Sequence, residues 1–332
     1  INTGDKNVFV GYAAGDATTS SVNNVAIGTE ALTTNILGSS SVAIGTGALA
    51  VQNPASAVSM LNVAVGQDAG VNVTTGVENT LIGGLAGDAI TTGYYNTALG
   101  KDALGTNTLS SLNVAIGHSA LKTMSAGNAE THNVAVGANA GLSVTTGIQN
   151  TIVGGLAGDA VTTGSYNVIM GTNAGGGVTT GDQNIIIGQG TNAAALTGNT
   201  NTIIGDSAGQ AMTSAANNVA VGANTLVAHT TAANCTAVGA NALQSNIAGA
   251  DNTGLGKGAL ATNSSGSQNT AVGVRSMEDT TTASDNTAIG WGSLTENTTG
   301  ANNAAIGRSA LANNTTAANN TAVGYIAGLN VT

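Results

Sequence analysis

The chain has 332 residues, of which only 7% are charged and 2% aromatic, and its net charge is −10. A globular domain of this length carries about a quarter charged residues, and an acidic balance this thin leaves no basic patch for a nucleic-acid partner. Hydrophobic residues make up 42%, chiefly Ala and Val, so the composition predicts a thin, extended core rather than a disordered chain. No apolar run approaches the roughly 18 residues of a membrane-spanning helix, and one cysteine, Cys235, excludes an internal disulfide framework.

From the first residues onward one unit recurs: "NVFVG" ends at Gly11, "NVAIG" at Gly28 and "SVAIG" at Gly45. It continues to Gly324, giving 19 units and 18 intervals, of which 16 are 17 residues long. A fixed period held over this many units predicts a stacked repeat architecture. Four residues before each glycine stands Asn in 17 of 19 units, Asn24 and Asn113 among them, with Ser41 and Cys235 the exceptions. Val or Thr usually follows, then commonly Ala, then an apolar residue such as Ile27 or Ile116. Alternation over so few residues, rich in β-branched side chains, predicts a short strand. Because the central position is apolar as well, the strand is expected to be buried on both faces, as parallel strands tend to be.

The glycine, Gly28 or Gly117 for instance, then breaks the strand. Three residues later comes Ala and then Leu or Gly, a second inward step, followed by a Thr-rich stretch and a second turn glycine, as in Val73–Gly76. Seventeen residues with two turns bury no face alone but do so when stacked. The expected fold is therefore all-β, a parallel β-solenoid or β-roll of about 19 coils, and the Asn column is expected to form a hydrogen-bonded amide ladder. The array reads as one continuous domain over 1–332, an excerpt of a longer fibre with flanking domains. Two intervals are long, 21 and 20 residues, and place inserted loops near 50–60 and 124–132.

The repeated "N-[TV]-A-[VI]-G-x-x-A-[LG]" unit resembles the head repeats of trimeric autotransporter adhesins. It is also similar to the "NTAVGY.AG" repeats of phage tail-fibre proteins, as "NTAVGYIAGLNVT" at Asn320–Thr332 shows. The resemblance spans the chain. It implies a left-handed coil, a homotrimer, and an extracellular place on a virion tail fibre or, alternatively, on a bacterial cell surface.

No convergent set of reactive groups points to an enzyme. His118, His132 and His229 are isolated, "GGLAGD" at Gly83–Asp88 and Gly154–Asp159 lacks the tandem spacing a calcium roll needs, and no cofactor motif occurs. Variation concentrates in the two positions after the strand glycine. They hold Tyr12, Lys101, His118, Lys257, Arg275, Trp291, Arg308 and Tyr325. This ridge is either a solubilising edge or a contact surface for a cell-surface glycan or protein receptor. A Thr column eight residues after the glycine, including Thr74, Thr91 and Thr145, also matches what an ice-binding solenoid would display.

Overall fold

The computed structural model describes residues 4–127 and 129–331 and contains no helix among them. It forms two compact units, Ile1–Tyr166 and Asn167–Thr332, each built from the same coil. In the first, three-residue strands run from Val8–Val10 and Val25–Ile27 to Thr151–Val153. Within this unit the strands of successive coils pair in parallel and in unbroken register, so that Ala26 faces Ala43 and Ala43 faces Ala64. The second unit repeats this from Val168–Met170 to Thr321–Val323. The chain is thus a parallel β-solenoid of about 19 coils with a repeat of about 17 residues.

Both insertions leave the ladder in register. Val42 pairs with Val63 across the first and Val114 with Val134 across the second. The first insertion adds a strand of its own, Val58–Ser59, parallel to Gly38–Ser39. The second contributes a bridge between Ser111 and Glu130.

The turn glycine serves two needs. Gly28 has φ +135°, and a Cβ there would lie 2.5 Å from the carbonyl oxygen of Gly45 in the next coil. Each coil also places non-glycine residues in the left-handed region, for example Asn23 at φ 60°, Glu30 at 57° and Leu32 at 51°. Such residues cost on the order of 1 kcal/mol each unless their surroundings hold them. Here stacking does so: the amides of Glu30 and Leu32 donate to Tyr12 and Ala48 in the adjoining coils at 2.8 and 3.0 Å.

The Asn ladder forms as the sequence predicts. Asn79 donates from Nδ2 to the Gly93 carbonyl at 2.9 Å, while its Oδ1 accepts from the backbone N and Nδ2 of Asn96 at 3.0 and 3.1 Å. Where Ser41 interrupts the column, Gln52 of the same coil reaches in and accepts from Asn62 Nδ2 at 2.9 Å.

One expectation is corrected. The strands are buried on one face only. The central residue (Ala26, Ala43, Ile152) is fully buried, whereas the flanking pair points out of the coil, with Ile27, Leu99, Met170 and Ile289 exposed. Two of the inward columns meet in the interior, a Cβ at Gly87 lying 2.7 Å from Leu81 Cδ2, and in the following coils only one of these two columns carries a large side chain. Coils with Leu four residues after the turn glycine (Leu32, Leu104, Leu243) have Ala at the strand centre (Ala26, Ala98, Ala237). Coils with Leu81, Ile152 or Ile169 at the strand centre have Gly87, Gly158 or Gly175 instead. Exclusion of overlapping side chains from a close-packed interior accounts for this exchange.

Candidate functional site

Column by column, the turn after the strand glycine sets a row of side chains on the surface of each unit. The local cause is the left-handed residue two places after the glycine, which turns the chain outward at Glu30, Asp102 or Arg275. Tyr12, Lys101, His118, Lys257, Arg275, Trp291, Arg308 and Tyr325 are all exposed, as the sequence predicts. They are not one site.

In the first unit Tyr12 and His118 stand apart. Lys101 lies 3.6 Å from Asp102, which Lys122 approaches to 3.5 Å; exposed pairs of this kind stabilise by about 0–1 kcal/mol. Burial pushes the nearby Asp88 carboxyl above the usual carboxylate range, and the like charges of Asp102 and Asp68 act in the same direction.

In the second unit the ridge converges. The Arg308 guanidinium sits 5.1 Å from the Trp291 ring centre and 5.9 Å from that of Tyr325. These three residues occupy one column of three successive coils, so the stack is a direct product of the period. Beside it Lys257 and Arg275 border a surface groove of about 380 Å³ that also includes Asn241, Gln244 and Glu278.

A second exposed corner escaped the sequence reading. The residue before each ladder Asn is also left-handed and faces water, and this row carries Tyr95, His132 and Tyr166. Tyr94 packs edge-on against Tyr95 with ring centres 5.3 Å apart, and its hydroxyl donates to Glu130 of the second insertion at 2.9 Å. That bond to a carboxylate pushes the Tyr94 phenol up. The available signal was a variable, aromatic-bearing column one step ahead of the Asn.

The remaining chemistry is turned inward. Hydroxyls of Thr74, Thr91 and Thr145 donate to carbonyl oxygens of the next coil at 3.1 Å, so the Thr column serves the ladder. Cys235 is buried, and burial raises its thiol pKa. Among the described residues no three His, Cys, Asp or Glu side chains gather as a metal site.

His229 is fully buried; its Nε2 meets the Ala232 carbonyl at 2.8 Å, and its Nδ1 meets Asn246 Nδ2 at 3.1 Å and the Asn246 carbonyl at 3.3 Å. The geometry fits a neutral ring that donates from Nε2 and accepts at Nδ1. Burial holds its pKa below the ordinary 6.5. The unfolded chain then binds a proton that the folded chain refuses. Stability should be level above about pH 7 and fall as the pH drops below 6.5 toward the folded pKa, by up to about 1.4 kcal/mol per pH unit. His229→Asn copies Asn246 of the next coil. In denaturant titrations between pH 5 and 8 this variant should lose that slope; an unchanged slope would assign it to other groups.

No family model matches the chain, and no curated protein sequence matches it.

Proposed function

We propose that the chain is a structural segment of a virion tail fibre, three copies of which associate side by side in the left-handed form that the resemblance implies, holding and contributing to a host-attachment surface. The observation that carries this reading is the outward strand face. In each unit it presents a row of apolar side chains at a fixed position, with Leu99 43%, Met170 40%, Leu255 45% and Ile306 41% exposed. Contiguous apolar surface of this sort marks an interaction site. A second and third copy supply identical rows with the same spacing, and rotation about one axis closes all three against each other without leaving a free edge.

Sedimentation equilibrium tests the assembly. The expected mass is three times the chain's 31.8 kDa; a monomer at micromolar concentration would overturn the trimer. Ile289→Glu with Ile306→Glu places charges in the apolar row while leaving the inward columns intact. This double variant should sediment as monomer and keep a β-rich circular dichroism spectrum. Antibody to the segment should label tail fibres on purified particles, whereas label on bacterial cells free of particles would favour a cell-surface adhesin.

A further inference from the structure

We propose that the groove bordered by Lys257 and Arg275 binds a carboxylate-bearing saccharide, an inference that rests on the attachment reading and gives its ligand a chemical class. The groove arises from one coil with two missing side chains. Two and five residues after the turn glycine, the preceding coil carries Asn241 and Gln244 and the following coil carries Arg275 and Glu278; the coil between carries Gly258 and Ala261. The result is a notch about 380 Å³ in volume, at the small end of the range for ligand pockets. Its two rims are lined by amide, guanidinium and carboxylate groups.

The charges in the notch are suited to an anion. Lys257 and Arg275 are two of the six Lys and Arg residues in an otherwise acidic chain, and the notch holds one carboxylate, Glu278. Glu278 engages Arg275 through Nε. Among the described residues no protein acceptor takes the terminal Nη amines of Arg275, and no carboxylate pairs with Lys257. The two cations stand on adjacent coils and line the same notch as Gly258, and the proposed ligand carboxylate is placed between them. Charge-assisted bonds of this kind are short, and guanidinium adds planarity that suits a carboxylate. Sugar hydroxyls have Asn241, Gln244 and Glu278 as donors and acceptors, and the exposed Val274 offers an apolar wall to a ring's C–H face.

A second, smaller groove of about 170 Å³ shares Arg275 with the notch and is bordered by Trp291, Gly292 and Glu296. Here again a glycine two residues after the turn opens the space. Trp291 is 48% exposed, and its ring is held by the Arg308 guanidinium. An oligosaccharide running along the coils would place one unit in the notch and the next against the indole. The cations and amides of the notch, with the indole beside it, suit a saccharide better than a wholly apolar ligand.

The test uses the 332-residue chain on an array of oligosaccharides bearing uronic or sialic acids, each beside its carboxyl-reduced counterpart. Saturable retention on at least one acidic oligosaccharide is expected, with a loss of about tenfold or more on carboxyl reduction and in Lys257→Gln/Arg275→Gln. A second variant, Gly258→Asn/Ala261→Gln, fills the notch by copying the preceding coil. The left-handed backbone at Gly258, φ +68°, is one that Asn241 already adopts at φ 60°. It should melt like the parent and still lose retention. The proposal fails if no acidic oligosaccharide is retained, if the reduced forms are retained equally, or if the notch-filling variant binds as the parent does. Adsorption of the labelled chain to cells is measured separately. Adsorption without retention on the array would overturn the groove and keep the attachment reading; retention without adsorption would do the reverse.

Discussion

Gly87→Leu should lower the stability of the first unit by about 3 kcal/mol, although the backbone at this position accepts leucine readily. Leu104 and Leu121, at the equivalent place in the next two coils, adopt φ 53° and 48°, close to the +57° of Gly87. The obstacle is volume. A Cβ on Gly87 would lie 2.7 Å from Leu81 Cδ2 and 2.8 Å from Ile90 Cδ1, both fully buried. Leu81→Ala alone should cost a similar amount, about 3 kcal/mol, by leaving a cavity.

The triple substitution Leu81→Ala/Gly87→Leu/Ile90→Asn copies Ala98, Leu104 and Asn107 of the following coil. There the Asn107 side chain donates to the Ser110 carbonyl and accepts from the Ser110 amide, both at 3.0 Å. Asn at position 90 would find the Gly93 backbone in the same place, so the triple variant should return to within about 1 kcal/mol of the parent. Urea denaturation of the four proteins decides the matter. Additive losses would show that a large residue is not exchanged between these two columns.

This exchange also marks where the sequence was legible and where it was not. The period, the strand, the turn glycine and the Asn column follow from spacing and residue type alone, because each of these residues meets its own copy one coil away. Asn24 and Asn113 are ladder members, and Gly28 and Gly117 close the strands, as their positions predict. The outward face was misread because Val25, Ala26 and Ile27 are all apolar, and strand alternation does not say which side is interior. What says so is the smallness of Ala26 beside Leu32: where one of these two adjoining inward columns carries leucine, the other carries a small residue. The ridge was legible as a pair of variable columns. The groove was not, since it exists only as a difference between Gly258 and the larger residues 17 positions to either side. The second corner at Tyr95 and Tyr166 was hidden by the need for left-handed backbone, which nothing in a tyrosine announces.

The largest single loss is expected from the ladder itself. Asn79→Ala should destabilise the first unit by roughly 3–5 kcal/mol, because two buried backbone groups lose their partners at once. The amide of Asn96 donates to Asn79 Oδ1 at 3.0 Å, and the Gly93 carbonyl accepts from Asn79 Nδ2 at 2.9 Å. Both are internal, where water does not replace the missing partner. The side chain of Asn96 also loses its acceptor at 3.1 Å, and Asn62 Oδ1 loses a donor at 3.2 Å, so the defect reaches the coils on both sides. Asn79→Asp separates donor from acceptor. It preserves an acceptor for Asn96 but turns a carboxylate oxygen toward the Gly93 carbonyl and buries a charge. Its stability should therefore be low at pH 7 and recover in part on acidification, as the carboxyl takes up a proton and donates again. Thr75→Ala, at an exposed position in the coil before, should change stability by no more than about 0.5 kcal/mol. The chain's own exceptions indicate what a tolerated replacement requires. Ser41 is accompanied by Gln52, and Cys235 by Asn246, whose Nδ2 lies 3.6 Å from the sulfur. Asn79 has Ile90, an apolar residue, at the position of Gln52, so nothing in its coil takes over the lost bonds. Equal melting temperatures for Asn79→Ala and Thr75→Ala would show that the amide ladder is not what holds the coils in register.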